Sequence, residues 1–137
     1  MKKFIIFIIT TILTIFTCAC NKEQSQILFN KVPFSSETIV SGTNVFSPTD
    51  RIYYLVTLPE PVVSKKLLIQ VMKIGGGTDE RLGYDLVWGK QVKLRDEEIH
   101  YFTDYIVINE TGAYIMKVYS KDDPTKILTS SQFYVKN

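Results

Sequence analysis

Cysteine and histidine are nearly absent from this chain. Only two cysteines occur in 137 residues, Cys18 and Cys20, and the single histidine is His100. Zinc sites need several thiolate or imidazole ligands, so this composition argues against one, and no disulfide is available to the residues after Cys20. We therefore expect a domain that rests on its hydrophobic core alone, with no cofactor.

An excess of charge of either sign is also absent. The chain has 16 Lys and Arg against 14 Asp and Glu, and Lys2 and Lys3 stand at its N-terminus, so the residues after them carry 14 bases and 14 acids. Acids and bases are interspersed, which gives no long-range field toward a polyanion. We expect no nucleic-acid partner.

The one long apolar run spans Phe4 to Phe16 and contains Thr10, Thr11 and Thr14. A membrane span needs about 20 predominantly apolar residues, and this run is shorter. It follows two lysines and leads to Ala19 and Cys20, the three-part arrangement of a secretory signal. The chain is therefore expected to be exported.

The end of this segment, Thr17-Cys18-Ala19-Cys20, resembles the lipobox of bacterial lipoproteins. It departs from that pattern at Thr17, where leucine is usual, and Cys18 is a poorer candidate for modification because Thr17 would then precede the cleavage point. The resemblance implies a signal peptide at 1–19 and a diacylglycerol and palmitate anchor on Cys20. An ordinary signal peptide and an uncleaved membrane helix are the alternatives.

The remaining sequence divides into a tether and one domain. Residues 20–26 hold the acylated cysteine and a polar stretch that reads as a short linker. Residues 27–137 are enough for one hydrophobic core of ordinary size. Asn21 gives no inner-membrane retention signal, which favours outer-membrane delivery in a cell with two membranes; the domain would be periplasmic or surface-exposed.

Short segments with period-2 alternation and many β-branched or aromatic residues predict strands. One of them, Lys65–Ile74, has apolar residues on both faces, so we expect it to be covered on both sides. Val32–Phe34 continues the first strand at an edge, and Thr38–Val40 and Val45-Phe46 are expected to pair at most briefly. The seven predicted strands are Ile27–Phe29, Arg51–Leu58, Lys65–Ile74, Tyr84–Leu94 with a bulge at Gly89, Ile99–Ile108, Gly112–Tyr119 and Ile127–Val135.

Seven strands separated by regular turns are typical of an immunoglobulin-like β-sandwich. The stretch Asn109 to Tyr114 resembles the corner before the sixth strand of immunoglobulin-like and fibronectin-like domains, with Glu110, Gly112 and Tyr114 in the acidic, glycine and tyrosine places. The resemblance implies that the Tyr114 hydroxyl bonds back to nearby backbone. Met116 stands where antibody domains have a cysteine. A small barrel and a jelly-roll fragment remain alternative topologies.

Counting strands from the tether predicts which connections share an end of the sandwich. Ser35–Asp50, Gly75–Gly83 and Asn109–Gly112 are expected at the end far from the anchor. Pro59–Ser64, Arg95–Glu98 and Lys121–Lys126 are expected at the membrane end.

No pattern predicts a catalytic residue. His100 lies in a predicted strand without a G-x-S-x-G turn or a comparable serine context, and the acids of Asp96–Glu98 and Asp122-Asp123 lie in turns, where solvated charge is the usual meaning and calcium a minor alternative. Gly75-Gly76-Gly77 lacks the lysine of a phosphate loop. We expect no enzyme activity and no small-molecule substrate.

The sequence therefore favours a membrane-anchored envelope lipoprotein that acts by contact with an unidentified protein or polymer, as a surface adhesion protein or an accessory subunit. An immunoglobulin-like protease inhibitor is the alternative, although its other loop signatures are missing, and a small envelope hydrolase is less favoured. Alternation places Tyr114, Met116 and Val118 inward, which turns Ile115, Lys117 and Tyr119 outward. Tyr134 likewise lies opposite the inward Phe133 and Val135, so Tyr119 and Tyr134 are expected on one outer face. The predicted partner loop consists of Gly75, Gly76, Gly77, Thr78, Asp79, Glu80 and Arg81.

Overall fold

Strands make up nearly all the regular structure of residues 23–75 and 83–137, the parts of the chain that the computed structural model describes. The predicted signal peptide at 1–19 and Cys20 lie outside them. The other regular element within these ranges is a single 3-10 turn at Asp96–Glu98. No helix in the same ranges is long and apolar enough to cross a membrane.

Eight strands follow one another along the described residues. They are β1 (Gln26–Asn30), β2 (Val45–Phe46), β3 (Arg51–Thr57), β4 (Lys66–Ile74), β5 (Tyr84–Lys93), β6 (Tyr101–Val107), β7 (Gly112–Ser120) and β8 (Asp123–Val135). The sequence predicts seven strands, and the additional strand in the structure is β2, which has only two residues.

The strands form two sheets that pack face to face. A small sheet has the order β1-β3-β6, and a large sheet has the order β2-β8-β7-β4-β5. All pairs are antiparallel except β2 with β8, which is parallel. The predicted all-β, immunoglobulin-like sandwich is confirmed, and β7 is its sixth strand when the short β2 is left out.

The core lies between the sheets and is built by alternation. In β7 the side chains of Tyr114, Met116 and Val118 are buried, and the residues between them are half-buried. This is the inward set that the sequence predicted. Phe133 on β8 stacks on the Tyr114 ring at 5.4 Å and lies 5.1 Å from the Phe29 ring, so one aromatic cluster joins β1, β7 and β8.

Registers show which loops share an end. Gln26 pairs with Thr57 and Lys66 pairs with Lys93, so the connections after β3 and β5 lie at the end where residue 23 enters, here called the N-terminal end. Ile74 pairs with Ala113, which puts the connections after β4 and β6 at the opposite, far end. The predicted alternation of loops between two ends is confirmed for the described residues.

Three local predictions were wrong. Val32–Phe34 forms no strand; the Pro33 carbonyl instead accepts from the Thr38 hydroxyl at 2.8 Å. Thr38–Val40, which was expected to pair at most briefly, lies in a turn. The bulge of β5 lies at Val87, because Val71 pairs with Trp88 and Met72 with Leu86. Gly89 pairs regularly with Gln70. The last connection is also shorter than predicted, because β8 begins at Asp123.

The prediction that the strand at Lys65–Ile74 is covered on both faces was also wrong. Leu67, Ile69 and Val71 are buried between the sheets, whereas Leu68 and Met72 on the outer face are only half-buried. No described element packs over that face, so its apolar residues meet solvent. The sequence alone could not distinguish a second buried face from an exposed apolar one.

Candidate partner-binding face

The outer surface of the large sheet carries two apolar rows at its far end. Cross-strand pairing places each row across β5, β4, β7 and β8 in turn. Since neighbouring strands lie about 4.8 Å apart, the rows are about 14 Å long. The first row is Tyr84, Ile74, Ala113 and Tyr134, and the second is Leu86, Met72, Ile115 and Gln132. We call this surface the outer apolar face.

This face is open to solvent at both of its lateral ends. Leu86 is 60% exposed, Tyr84 is 47% exposed, and Val45, which pairs with Tyr134 and prolongs the first row, is 40% exposed. Ile74, Met72 and Ile115 between them are half-buried. Contiguous exposed apolar surface is uncommon on a soluble domain and marks sites of contact with partners.

Two lysines lie against the tyrosines of the first row. The Lys117 ammonium is 5.0 Å from the centroid of the Tyr84 ring, and the Lys136 ammonium is 5.1 Å from that of Tyr134. Each contact is a cation–π interaction within the usual distance of about 6 Å. Each contact therefore places a positive charge against a tyrosine ring of the first row.

The charged residues of the outer surface of the large sheet all have one sign. In the described strands, alternation points Lys66, Lys93, Lys117 and Lys136 outward and points no Asp or Glu outward. Asp85 pairs with Lys73, which lies on the inner side of β4 beside Glu110. The outer apolar face is therefore bordered by cations without neighbouring carboxylates from these strands.

The free edge of β5 is not suited to strand addition. Val87 is the extra residue of a bulge, and Lys90 turns from the inner side of β5 toward Asp104 of β6, with its ammonium 2.8 Å from the carboxylate. Bulges and inward charges are features that block the pairing of edge strands. A partner is thus expected on the face and not along the edge.

The predicted partner loop borders this face. Gly75 and Gly83, at the ends of the loop, are joined by a hydrogen bond from the Gly75 N–H to the Gly83 carbonyl at 2.9 Å, and Ile74 and Tyr84 of the first row flank them. Gly76, Gly77, Thr78, Asp79, Glu80 and Arg81 lie outside the described residues.

The corner that the sequence singled out brings its three residues together. The Tyr114 hydroxyl donates to the Glu110 carbonyl at 2.6 Å, and the Glu110 carboxylate pairs with the Lys73 ammonium. The hydrogen bond to Glu110 raises the pKa of Lys73, and burial raises the pKa of Tyr114. This corner is structural: it fixes the start of β7 and with it Ala113 and Ile115 of the outer apolar face.

Gly112 is required in this corner by close approach. Its φ is +158°, a conformation that L side chains rarely adopt, and a Cβ there would stand 2.8 Å from Cε of Lys73 and 3.6 Å from the Tyr114 ring. A side chain would therefore push Lys73 away from Glu110.

The histidine and the acidic turn residues that could serve in catalysis or metal binding instead form contacts within the domain. His100 Nδ1 lies 3.2 Å from the Leu58 carbonyl, the Asp96 carboxylate accepts from the Lys65 ammonium at 2.6 Å, and the Asp122 carboxylate accepts from the Ser64 N–H at 2.9 Å. These bonds lower the pKa of Asp96 and of Asp122. In the described parts of the chain, no three His, Cys, Asp or Glu side chains come together to hold a metal ion.

The outer surface of the small sheet is rich in hydroxyl groups. Tyr53 and Tyr105 are cross-strand partners with ring centroids 5.6 Å apart, and the Arg51 guanidinium lies 5.0 Å from the Tyr105 centroid. Tyr101 and Tyr105 are 48% and 44% exposed. These tyrosines mostly pack on each other and on Arg51, which makes this surface a second, weaker candidate.

The sequence predicted part of the outer apolar face. It placed Ile115, Lys117, Tyr119 and Tyr134 outward, and the structure does the same. Tyr119 and Tyr134 lie on neighbouring strands but near opposite ends of them, so they do not form one patch. Met72 and Ile74 complete the face, and in the sequence their apolar side chains equally predict a second buried layer.

Comparison with known proteins gives little help. No known protein family and no curated protein matches the sequence. One solved structure that it resembles is the β-glucosidase from Kluyveromyces marxianus in complex with glucose, at 17% identity and a TM-score of 0.42. The match covers 83% of this chain but only 14% of that enzyme. At this score the likeness carries no argument about function.

Proposed function

We propose that this protein is a bacterial envelope lipoprotein, acylated on Cys20, that works by contact with a protein or polymer partner and catalyses no reaction. The anchor would hold it on the cell membrane or outer membrane, with the domain on the periplasmic or the outer side. Its role would be that of an adhesion protein or an accessory subunit of an envelope assembly.

The observation that supports a contact role is the position of the outer apolar face. Residues 23–26 lie at the N-terminal end, where Glu23 and Gln24 line an open groove with Pro59 and His100. The two apolar rows lie at the far end. A lipid on Cys20 would therefore hold the exposed face away from the bilayer, where a partner has free access.

The anchor is tested by metabolic labelling with palmitate in a bacterial host. We expect the wild-type protein and Cys18→Ser to incorporate the label and to partition into the detergent phase. Cys20→Ser should lose the label and retain its signal peptide, because the thiol that accepts the lipid is gone. Equal labelling of Cys20→Ser would overturn the proposal.

A polymer partner is supported by a separate feature, the exposed tyrosines of the small sheet. Tyrosine combines a broad apolar ring with a hydroxyl that forms hydrogen bonds, which suits contact with sugars. Affinity electrophoresis in gels containing neutral polysaccharides tests it. Retardation that Tyr101→Ala and Tyr105→Ala abolish, and that Tyr119→Ala leaves intact, would assign the polymer to this surface.

A further inference from the structure

The outer apolar face combines aliphatic side chains with positive charge held against its two tyrosines. We propose that it binds a protein segment that presents apolar side chains flanked by Asp or Glu. This inference deepens the proposed contact function and rests on it. It identifies the partner by its chemistry.

The aliphatic rows favour protein over sugar. Met72, Ile74, Leu86 and Ile115 offer no hydrogen-bonding groups, and the polar groups of the two rows, the hydroxyls of Tyr84 and Tyr134 and the amide of Gln132, lie at their lateral ends. A glycan placed over the aliphatic side chains would lose hydrogen bonds to water without replacing them there. Apolar side chains of a protein gain from the same burial.

The charges of the face determine which kind of protein segment it can bind. Lys117 and Lys136 place their ammonium groups against the rings of Tyr84 and Tyr134. A carboxylate approaching from the partner meets each ammonium without breaking the cation–π contact. Charge complementarity of this kind directs encounter and selects partners.

The same charges exclude a second copy of this chain as the occupant. If two copies met through this face, lysines would approach lysines across the interface, and no carboxylate of the described strands on this surface is available to offset them. Like charges placed together suppress such pairing. The patch is also small relative to a stable interface, which buries about 800 Å² on each partner, so the contact is expected to be weak and sensitive to salt.

Two matched synthetic peptides test the proposal. Both carry the same central apolar segment and a fluorescent label. Glutamates flank this segment in one peptide, and lysines flank it in the other. Binding to the full-length acylated protein, held in nanodiscs of neutral phosphatidylcholine, is followed by fluorescence anisotropy. We expect the glutamate peptide to bind at least tenfold more tightly than the lysine peptide, and its affinity to fall as salt rises.

Charge-reversal variants locate the site. The double variant Lys117→Glu with Lys136→Glu should weaken binding of the glutamate peptide at least tenfold. The control double variant Lys121→Glu with Lys126→Glu changes the net charge equally at the N-terminal end and should leave affinity within twofold. Leu86→Ser should weaken both peptides, because it removes apolar contact and no charge.

Several results would overturn the proposal. One is equal binding of the two peptides, and another is an equal loss of affinity in the control double variant. The third is binding of phosphatidylglycerol vesicles or of an anionic polysaccharide that depends on Lys117 and Lys136, without binding of the glutamate peptide. Palmitate labelling of Cys20 does not depend on any of these results. A failure of the peptide assay is therefore distinguishable from a failure of the anchor.

Discussion

The hydroxyl of Tyr114 donates to the carbonyl of Glu110 at 2.6 Å, four residues earlier in the chain. The ring of the same tyrosine stacks on Phe133 in the core. One side chain thus ties the loop before β7 to the centre of the sandwich.

Removal of the Tyr114 hydroxyl measures how much its hydrogen bond contributes to the free energy of unfolding. Tyr114→Phe keeps the ring and loses the hydrogen bond, leaving the Glu110 carbonyl without this partner, so the free energy of unfolding should fall by about 1 kcal/mol. Urea unfolding followed by tryptophan fluorescence gives the value. Gly112→Val should lower the midpoint further, because its side chain collides with Lys73 and crowds the Tyr114 ring. Unchanged midpoints in both variants would contradict the corner.

A second tyrosine should respond in the opposite direction. The Tyr54 hydroxyl is fully buried and has no hydrogen-bond partner among the residues that the structure describes, and this burial raises the pKa of the phenol. Because an unsatisfied buried hydroxyl costs about 1–3 kcal/mol, Tyr54→Phe should leave the free energy of unfolding unchanged or increase it. A loss as large as that of Tyr114→Phe would show that the hydroxyl has a partner.

The aromatic cluster should dominate stability. Phe133 contacts the rings of Phe29, Phe46 and Tyr114, and Phe133→Ala should cost about 3–5 kcal/mol by leaving a cavity. Domains of this size have a total stability of about 5–15 kcal/mol, so this variant should be close to unfolding at 37 °C. Tyr134→Ala, at the next position but facing outward, should cost much less in the same thermal unfolding experiment.

Acid should destabilise the fold through its paired carboxylates. The pKa of Asp122 is lowered by hydrogen bonds from Ser64, that of Asp96 by Lys65 and that of Glu98 by Arg95. A carboxyl group whose pKa is lowered by folding contributes stability above its unfolded pKa of about 4 and loses it as pH falls through the folded value. Stability should therefore be flat from pH 7 to about 5 and decrease below that.

Asp122→Asn tests the contribution of Asp122 to this acid response. The amide oxygen still accepts from the Ser64 N–H, but it does not titrate. Urea midpoints at pH 7 and pH 3.5 should differ less in this variant than in the wild type. Glu37→Gln, an exposed residue between β1 and β2, is the control. An identical pH dependence in wild type and Asp122→Asn would contradict the assignment.

Much of the fold could be predicted, because the alternation of apolar residues along a strand is visible among neighbouring residues of the sequence. The alternation predicts the buried face of β7, which is formed by Tyr114, Met116 and Val118. The spacing of Glu110, Gly112 and Tyr114 predicts the corner. The bulge at Val87 could not be predicted, because it depends on how β5 pairs with β4. The outer apolar face was missed for the same kind of reason: Met72 and Ile74 are apolar whether a second layer covers them or not, and only tertiary structure shows that the described residues leave them uncovered.

The central claim is an acylated N-terminus at Cys20, and mass spectrometry of the protein purified from membranes tests it most directly. Trypsin cleaves after Lys22 and releases the N-terminal fragment with any lipid attached. The account predicts a fragment that begins at Cys20 and carries the mass of a diacylglycerol on its thiol. An unmodified cysteine, a lipid on Cys18, or a fragment that retains residues of the signal would contradict it.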